Sequence, residues 1–289
     1  MGRLRSGGVA VEARIGVVGT GFVSRHFVLA LGNHEGFALS RVLTRRPIED
    51  CADYPASDRL TDSVEELIDH SDLIVECSGD PIYATQVIAG AVGASVPVVT
   101  MNAEFHVTAG SYFVGKGLVT EAEGDQPGCQ AALREEALEL GFTPLVYGNM
   151  KGFLNLTPTR EDMEYWGARQ GISLPMVTSF TDGTKVQFEQ ALVANGLGGT
   201  VAADGLLGPA EDDLPTASRL LGEEAKRLGS PIADYVLSPV LPHGVFVVAE
   251  HDERHRDALR YLKLGEGPFY TLIKNNIFVY LEIMKTVKR

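Results

Sequence analysis

Several short stretches combine residue types at spacings that suit chemistry. "GVVGTGFVSRHF" (Gly16–Phe27) puts Gly19 and Gly21 behind an apolar run and ahead of a helical pattern. A dinucleotide-binding turn needs glycine at the bend and again where backbone meets pyrophosphate, with the phosphates on the N–H groups that open the helix. Gly19 and Gly21 fill the glycine places, Phe22 and Val23 open the helix, and Ser24 stands where a third glycine permits close packing. A plain strand-to-helix turn needs glycine too; the order strand, turn, helix is what favours the cradle.

The tip of the next strand reads "LTRRP", with Thr44, Arg45 and Arg46. An NAD site usually has Asp or Glu about 20 residues beyond the glycines to hold the ribose hydroxyls. A hydroxyl and two guanidiniums suit a 2′-phosphate instead, so NADP is expected over NAD, against the alternative of a solvated basic loop. "ECSGDP" brings Ser78 and Gly79 to another strand end, and "VPVVT" ends in Thr100. Both tips suit the nicotinamide side, and ordinary strand-ending turns explain them equally well.

Proton handling has its own candidates. Hydride transfer at a carbinol carbon requires a proton to move on the oxygen, and a lysine made less basic by burial can carry it. Asp182 and Lys185 are three apart, so they share a face if the helix begins at or just before Asp182. Lys185 is the expected proton carrier and Asp182 its orienting partner or a substrate contact; a surface ion pair is the plainer account. Lys151 in "GNMKGFLN" is a second acid or anion contact, with Asn155 and Thr157 as polar lining. Glu121, Glu123 and Asp125 could join Glu104 around a divalent ion, but solvated carboxylates on a strand edge explain them, and no metal is expected. His251 and His255, at i,i+4, are read as a solvated helix face rather than a zinc pair.

Elements must position these groups. Strands at Arg14–Val18, Phe37–Leu43, "DLIVEC" and "VPVVT" alternate with helices at Phe22–Leu31 and Ile82–Ala91. Ser63, three residues before Glu66, opens another helix as a capping box. Such alternation implies a doubly wound parallel sheet. Beyond Gly110 the pattern reads strand and tight loop at "KGLVTEAEGDQPG", helix through Arg134 and Leu140, strand "FTPLVYG", and helices at Glu161–Gln170 and Thr184–Asn195. A Gly/Asp/Pro-rich loop (Gly196–Pro215), a helix, the last clear strand "GVFVVAE" and a terminal helix Ile277–Val287 follow.

Composition bounds the rest. With 289 residues, 45% hydrophobic and 22% charged, the chain can bury a sizeable core. A net charge of −13 argues against broad binding to nucleic acid or anionic membranes. Cys51, Cys77 and Cys129 are too scattered for a disulfide framework or thiolate zinc site, so a reducing cytoplasm fits best. No membrane span or signal peptide is read. Met1-Gly2 with Ser6 matches the myristoylation pattern formally, and residues 1–13 are read as a leader.

The sequence also resembles a family. "VPVVTMNAEF" is similar to the "VVTANKA" segment of homoserine dehydrogenases, "EGDQPG" stands at their Gly-Gly-Ile-Pro loop, and "GFLNLTPT" looks like their Gly-Ile-Asn-Gly-Thr-Thr stretch. "SFTDGTKVQFEQALVANG" resembles the homoserine-dehydrogenase-like oxidoreductases, a group that includes an alternative deoxyxylulose-phosphate reductoisomerase and often carries a further C-terminal domain. The likeness runs from Ile15 to about Val287. It implies catalytic roles for Asn102 and Glu104, although the lysine of "TANKA" falls on Ala103. It also implies that "GEGPFYT", with Pro268, returns the final helix to the cofactor side.

The expected architecture is α/β: a Rossmann-type parallel sheet over residues 14–126, completed by 266–289, and a second α/β or α+β catalytic and dimerisation domain over 127–265. The expected activity is NADP-dependent hydride transfer on a small polar hydroxy or carbonyl substrate. Alternatives are a metal-dependent reductoisomerase of a phosphorylated sugar and a non-catalytic NADP binder. Partners are limited to that substrate and a second copy in a homodimer, formed through an exposed sheet face.

Overall fold

A computed structural model describes residues 12–289. The leader, apart from its last residues, and the myristoylation pattern lie outside the described residues. One compact unit runs to Gly124 and takes back Phe278–Arg289; the other comprises Asp125–Ile277.

The first unit is doubly wound. Its elements are β1 (Ala13–Val18), α1 (Phe22–Leu31), β2 (Phe37–Leu43), β3 (Leu60–Thr61), α2 (Val64–Asp69), β4 (Leu73–Glu76), α3 (Pro81–Gly93) and β5 (Val98–Thr100). The short turns α4 (Ala103–Phe105) and α5 (Ser111–Phe113) lead to β6 (Val119–Glu121). The strands pair in parallel in the order β3-β2-β1-β4-β5-β6. On one face Phe27 and Leu31 of α1 pack with Val17, Val75 and Ile283; on the other, Ala84, Val87 and Ile88 of α3 pack with Val18, Ile74 and Val98. Strands buried on both faces explain the unbroken apolar runs of the sequence. Half of the expected capping box forms: Ser63 Oγ accepts from Glu66 N at 3.0 Å, while the Glu66 carboxylate turns to Arg41 and Thr61.

The second unit contains α6 (Gln126–Glu139), β7 (Thr143–Lys151), α7 (Arg160–Gln170), α8 (Leu174–Thr181), α9 (Thr184–Leu197) and α10 (Leu214–Leu228). It continues with β8 (Ile232–Leu237), β9 (Gly244–Glu250), α11 (Arg256–Tyr261) and β10 (Tyr270–Asn275). Its mixed sheet has the order β10-β9-β7-β8, parallel only between β7 and β8. Leu133 of α6 and Val193 of α9 pack on Tyr147, Val245 and Val247. Leu214, Ala217 and Leu221 of α10 pack on Val146, Phe246 and Val248 of the opposite face. The sheet face expected to be exposed is therefore covered by α10.

Other expectations need correction. "IADYVL" is a strand, β8, missed because its centre is polar; the buried Asp234 carboxylate accepts from the N–H groups of Leu207, Gly208 and Tyr235. Helix α8 was also missed. The expected terminal helix Ile277–Val287 is broken: Asn276 and Val279 have φ of 62° and 48°, and only α12 (Ile283–Val287) is α-helical. Residues 266–277 do not complete the first unit, because Tyr270–Asn275 pairs along β9; the return starts at Phe278. It is fastened by the buried Glu123 carboxylate, which ion-pairs with Lys285 at 3.3 Å and Arg289 at 3.1 Å.

Candidate functional site

In the first unit the glycine turn joins β1 to α1. Gly19 has φ +101°, and a Cβ there would lie 3.0 Å from the Cys77 carbonyl oxygen and 3.1 Å from Ser78 Cα. The fold itself requires this glycine, through its left-handed backbone and the close approach of the β4 tip. Gly21 differs. Its φ is −81°, and a Cβ would meet nothing within 4 Å. No side chain caps α1, so its first N–H groups open onto that free space. A pyrophosphate fits such a cradle: room where a side chain would stand, and uncapped donors at a helix N-terminus. Ser24 explains how the third glycine is dispensable. It is buried, donates from Oγ to the Gly19 carbonyl at 2.6 Å, and meets the Tyr54 hydroxyl at 2.6 Å.

Beside this turn, the β2 tip forms a concavity lined by Thr44, Arg45, Arg46, Asp62 and Tyr83, with Ile48 and Glu49 also contributing. Arg45 donates to Asp80 Oδ2 at 2.7 Å, and its guanidinium carbon lies 4.5 Å from the Tyr83 ring centre. Asp80 also caps α3 through the N–H groups of Ile82 and Tyr83. The Tyr83 N–H and then the Arg45 guanidinium hold its carboxyl below the usual aspartate range, against the opposing pull of burial. Arg46 instead donates to neutral groups, the Thr20 hydroxyl at 2.9 Å and the Thr20 carbonyl at 3.1 Å. Among the described residues, it has no carboxylate partner. A planar cation fixed only by neutral acceptors can still take an anion.

Ser78 and Thr100 converge on a residue that the sequence reading overlooked. The fully buried Glu76 accepts from Ser78 N at 2.7 Å and from the Thr100 hydroxyl at 2.8 Å. Burial raises its pKa, against those hydrogen bonds. Its position as the last residue of an apolar strand was the available signal. Gly79 follows with φ +68°. Phe22 is exposed and lies in an aromatic cluster with His26 and Tyr280, at centroid distances of 4.4 and 6.1 Å; Val23 packs partly against the apolar core. Asn102 is buried and caps the α4 turn through Phe105 N at 3.0 Å, with Ala103 buried beside it and Glu104 half-buried.

The second unit carries the lysines. Lys185 and Glu189, one turn apart on α9, are buried with Nζ 3.6 Å from Oε1. The Phe180 and Phe188 rings lie 5.3 and 5.8 Å from that ammonium. Glu189 was not anticipated, although its i,i+4 spacing from Lys185 is legible. Asp182 is a correction. Gly183, with φ +86°, separates it from α9, and its carboxylate accepts from Thr184 N at 2.8 Å, so it does not share a helix face with Lys185. Lys151 ends β7, half-buried. Burial lowers its pKa first of all; the Lys185 charge adds to this, while Glu189 and Asp125 oppose it. Asn155 and Thr157 form a local turn, Thr157 N to Asn155 Oδ1 at 3.1 Å, and Pro268 lies in the loop before β10.

The acidic residues have separate duties. Glu121 pairs with His106 at 2.8 Å, Glu123 holds the C-terminal return, and Asp125 caps α6. Among the described residues no three His, Cys, Asp or Glu side chains group as metal ligands. His251 and His255 do not share a helix: His251 follows β9, His255 ends a 3₁₀ turn, and their rings meet edge to face at 4.9 Å.

Comparison with known proteins adds to this geometry. A probable dehydrogenase from Thermotoga maritima superposes with a TM-score of 0.51 at 12% identity, covering 91% of this chain and 76% of its own. For a myo-inositol dehydrogenase from Corynebacterium glutamicum the TM-score is 0.48 at 13% identity, with 92% and 75% covered. A dipicolinate-bound dihydrodipicolinate reductase from Paenisporosarcina gives 0.46 at 15%, with 96% and 92% covered. At these identities the Thermotoga likeness shows a shared fold. No curated protein sequence matches the chain. The family described as "Oxidoreductase DRL, catalytic domain" matches residues 124–283. That segment is more than half of the 289 residues and contains the whole lysine cluster, and the chain belongs to this oxidoreductase family.

Proposed function

We propose that the protein transfers hydride between NADP(H) and a small polar carbonyl or hydroxy compound. The first unit supplies the cofactor elements and the second the proton-handling lysines. The observation that carries the reading is the buried Lys185–Glu189 pair on α9, with Lys151 ending the strand β7 that packs against that helix, inside the segment matched as an oxidoreductase catalytic domain.

On the cofactor side, the Gly19–Gly21 turn and the N–H groups of Phe22 and Val23 would take the pyrophosphate. Arg46 and Thr44 would hold the 2′-phosphate, and Arg45, its guanidinium carbon 4.5 Å from the Tyr83 ring centre, would offer a planar face to adenine. The bound cofactor supplies or accepts the hydride. The carbonyl oxygen then needs a proton from this chain, and a lysine pair in partly water-excluded surroundings can deliver it. The partners already taken by Glu121, Glu123 and Asp125 favour plain hydride transfer over a metal-dependent reductoisomerase. The motifs resembling homoserine dehydrogenases support the carbonyl/hydroxy substrate class.

The test is loss of NADPH absorbance on incubation with a panel of small aldehydes, ketones and keto acids, with and without magnesium. Metal-independent turnover of at least one compound supports the reading. Turnover only with magnesium and a phosphorylated sugar replaces it with the reductoisomerase.

A further inference from the structure

The return segment Phe278–Arg289 is clamped to the rest of the first unit at several points. Two buried carboxylates, Glu123 and Glu282, share Lys285 at 3.3 and 2.9 Å, and Arg289 adds a 3.1 Å ion pair to Glu123. Glu123 N donates to the Thr286 hydroxyl at 2.8 Å, and Glu282 accepts from Phe278 N at 3.0 Å. At Gly124, with φ +110°, a Cβ would overlap the Val279 carbonyl oxygen. Val279 itself has φ 48°, a left-handed backbone that a β-branched residue rarely adopts. Such strain persists where the surroundings over-determine it, and it concentrates at ligand clamps.

What the clamp delivers is Tyr280, in the 3₁₀ turn Val279–Leu281. Its ring meets Phe22 edge to face at 6.1 Å and His26 at 5.1 Å, and His26 Nδ1 lies 2.8 Å from the Phe22 carbonyl oxygen. Phe22 is the first residue of α1, and its N–H is one of the uncapped donors of the cradle. Tyr280 also packs partly against the apolar cluster that takes in Val23 of α1, Cys77 beyond β4 and Met101 beyond β5. It therefore stands at the carboxyl edge of the sheet. The strand order reverses between β1 and β4, and doubly wound sheets bind their ligands at such a point. Among the described residues the Tyr280 hydroxyl has no hydrogen-bond partner.

We infer that Tyr280 is a cofactor-binding residue whose phenol O–H donates to a pyrophosphate oxygen of the dinucleotide at the Gly19–Gly21 turn. Lys285 is its positioning residue, acting through the clamp. The inference rests on the dinucleotide reading of that turn. A phenol suits the place: its ring packs against Phe22 and His26, while its polar end offers an anion a donor without a further charge. Arg46 would tell NADP from NAD. The pyrophosphate is common to both, so the Tyr280 contact strengthens both by the same factor.

Fluorescence titrations with NADPH and with NADH on Tyr280→Phe, which keeps the ring, read the hydroxyl alone. Both dissociation constants should rise by about tenfold, as for a lost hydrogen bond to a charged group, with the melting temperature of the cofactor-free protein unchanged. Lys285→Gln should weaken both cofactors, and Lys285→Arg should restore them. Adding Tyr280→Phe to Lys285→Gln should then cost little more. Dissociation constants that Tyr280→Phe leaves in place, or changes for one cofactor only, overturn the assignment. Fully additive losses in the double variant overturn the positioning role of Lys285. If the unmodified protein binds neither cofactor, the dinucleotide reading falls by itself, before any variant is compared.

Discussion

The Lys185 ammonium and the Glu189 carboxylate lie 3.6 Å apart on successive turns of α9, both almost entirely out of solvent. Buried pairs add little net stability, yet removing one partner strands a charge and costs about 3 kcal/mol or more. Glu189→Ala should therefore lower unfolding free energy by about 3 kcal/mol in urea. The double variant Lys185→Met/Glu189→Leu should lose less than that single variant, since both charges of the pair are removed together. Equal or additive losses would mean that the two groups are not coupled.

The two glycines of the turn should part company on substitution. Gly19→Ala forces a side chain onto a backbone at φ +101°, against the Cys77 carbonyl, and should be destabilised by about 1–3 kcal/mol. Gly21→Ala enters open space and should melt with the unsubstituted protein while losing dinucleotide affinity. Thermal melts with NADPH titrations on both variants make the comparison. Unchanged affinity in Gly21→Ala would reduce the turn to a structural device.

Alkaline stability should carry the signature of Tyr54. Burial, opposed by the Ser24 hydrogen bond, pushes its phenol up to about 12 from an ordinary value of 10. The folded state binds that proton more tightly, so this contribution is complete below about pH 10 and is lost as pH rises towards 12. Tyr54→Phe should lose about 1 kcal/mol at neutral pH with the Ser24 contact, and decline less steeply above pH 10. Urea denaturation at a series of pH values reads both effects.

How far the sequence could be read follows from where its signals are local. The parallel sheet was legible because each strand is an apolar run punctuated by turn residues, and the Gly19–Gly21 turn because glycine is needed there. Strand β8 was not, because Asp234 interrupts the run and its three N–H donors come from the chain near it and from a distant loop. The terminal helix failed for the opposite reason: its periodicity is continuous, but Asn276 and Val279 adopt left-handed backbone that no pattern announces. At the site, Lys185 and Lys151 were legible singly. Their grouping with Glu189 and Asp125 depends on β7 packing against α9 and following α6, which residue spacing cannot convey. Asp182 was misassigned because spacing alone does not reveal that Gly183 starts the helix one residue too late for it.

The most direct test of the central claim is a fluorescence titration of the purified protein with NADPH and with NADH, repeated on Arg46→Ala. The account predicts NADPH binding tighter by about tenfold or more, with Arg46→Ala bringing it close to the NADH value, as expected for loss of a charge-assisted phosphate contact. Equal affinities untouched by Arg46→Ala would contradict the 2′-phosphate assignment, and no binding of either cofactor would contradict the hydride-transfer function itself.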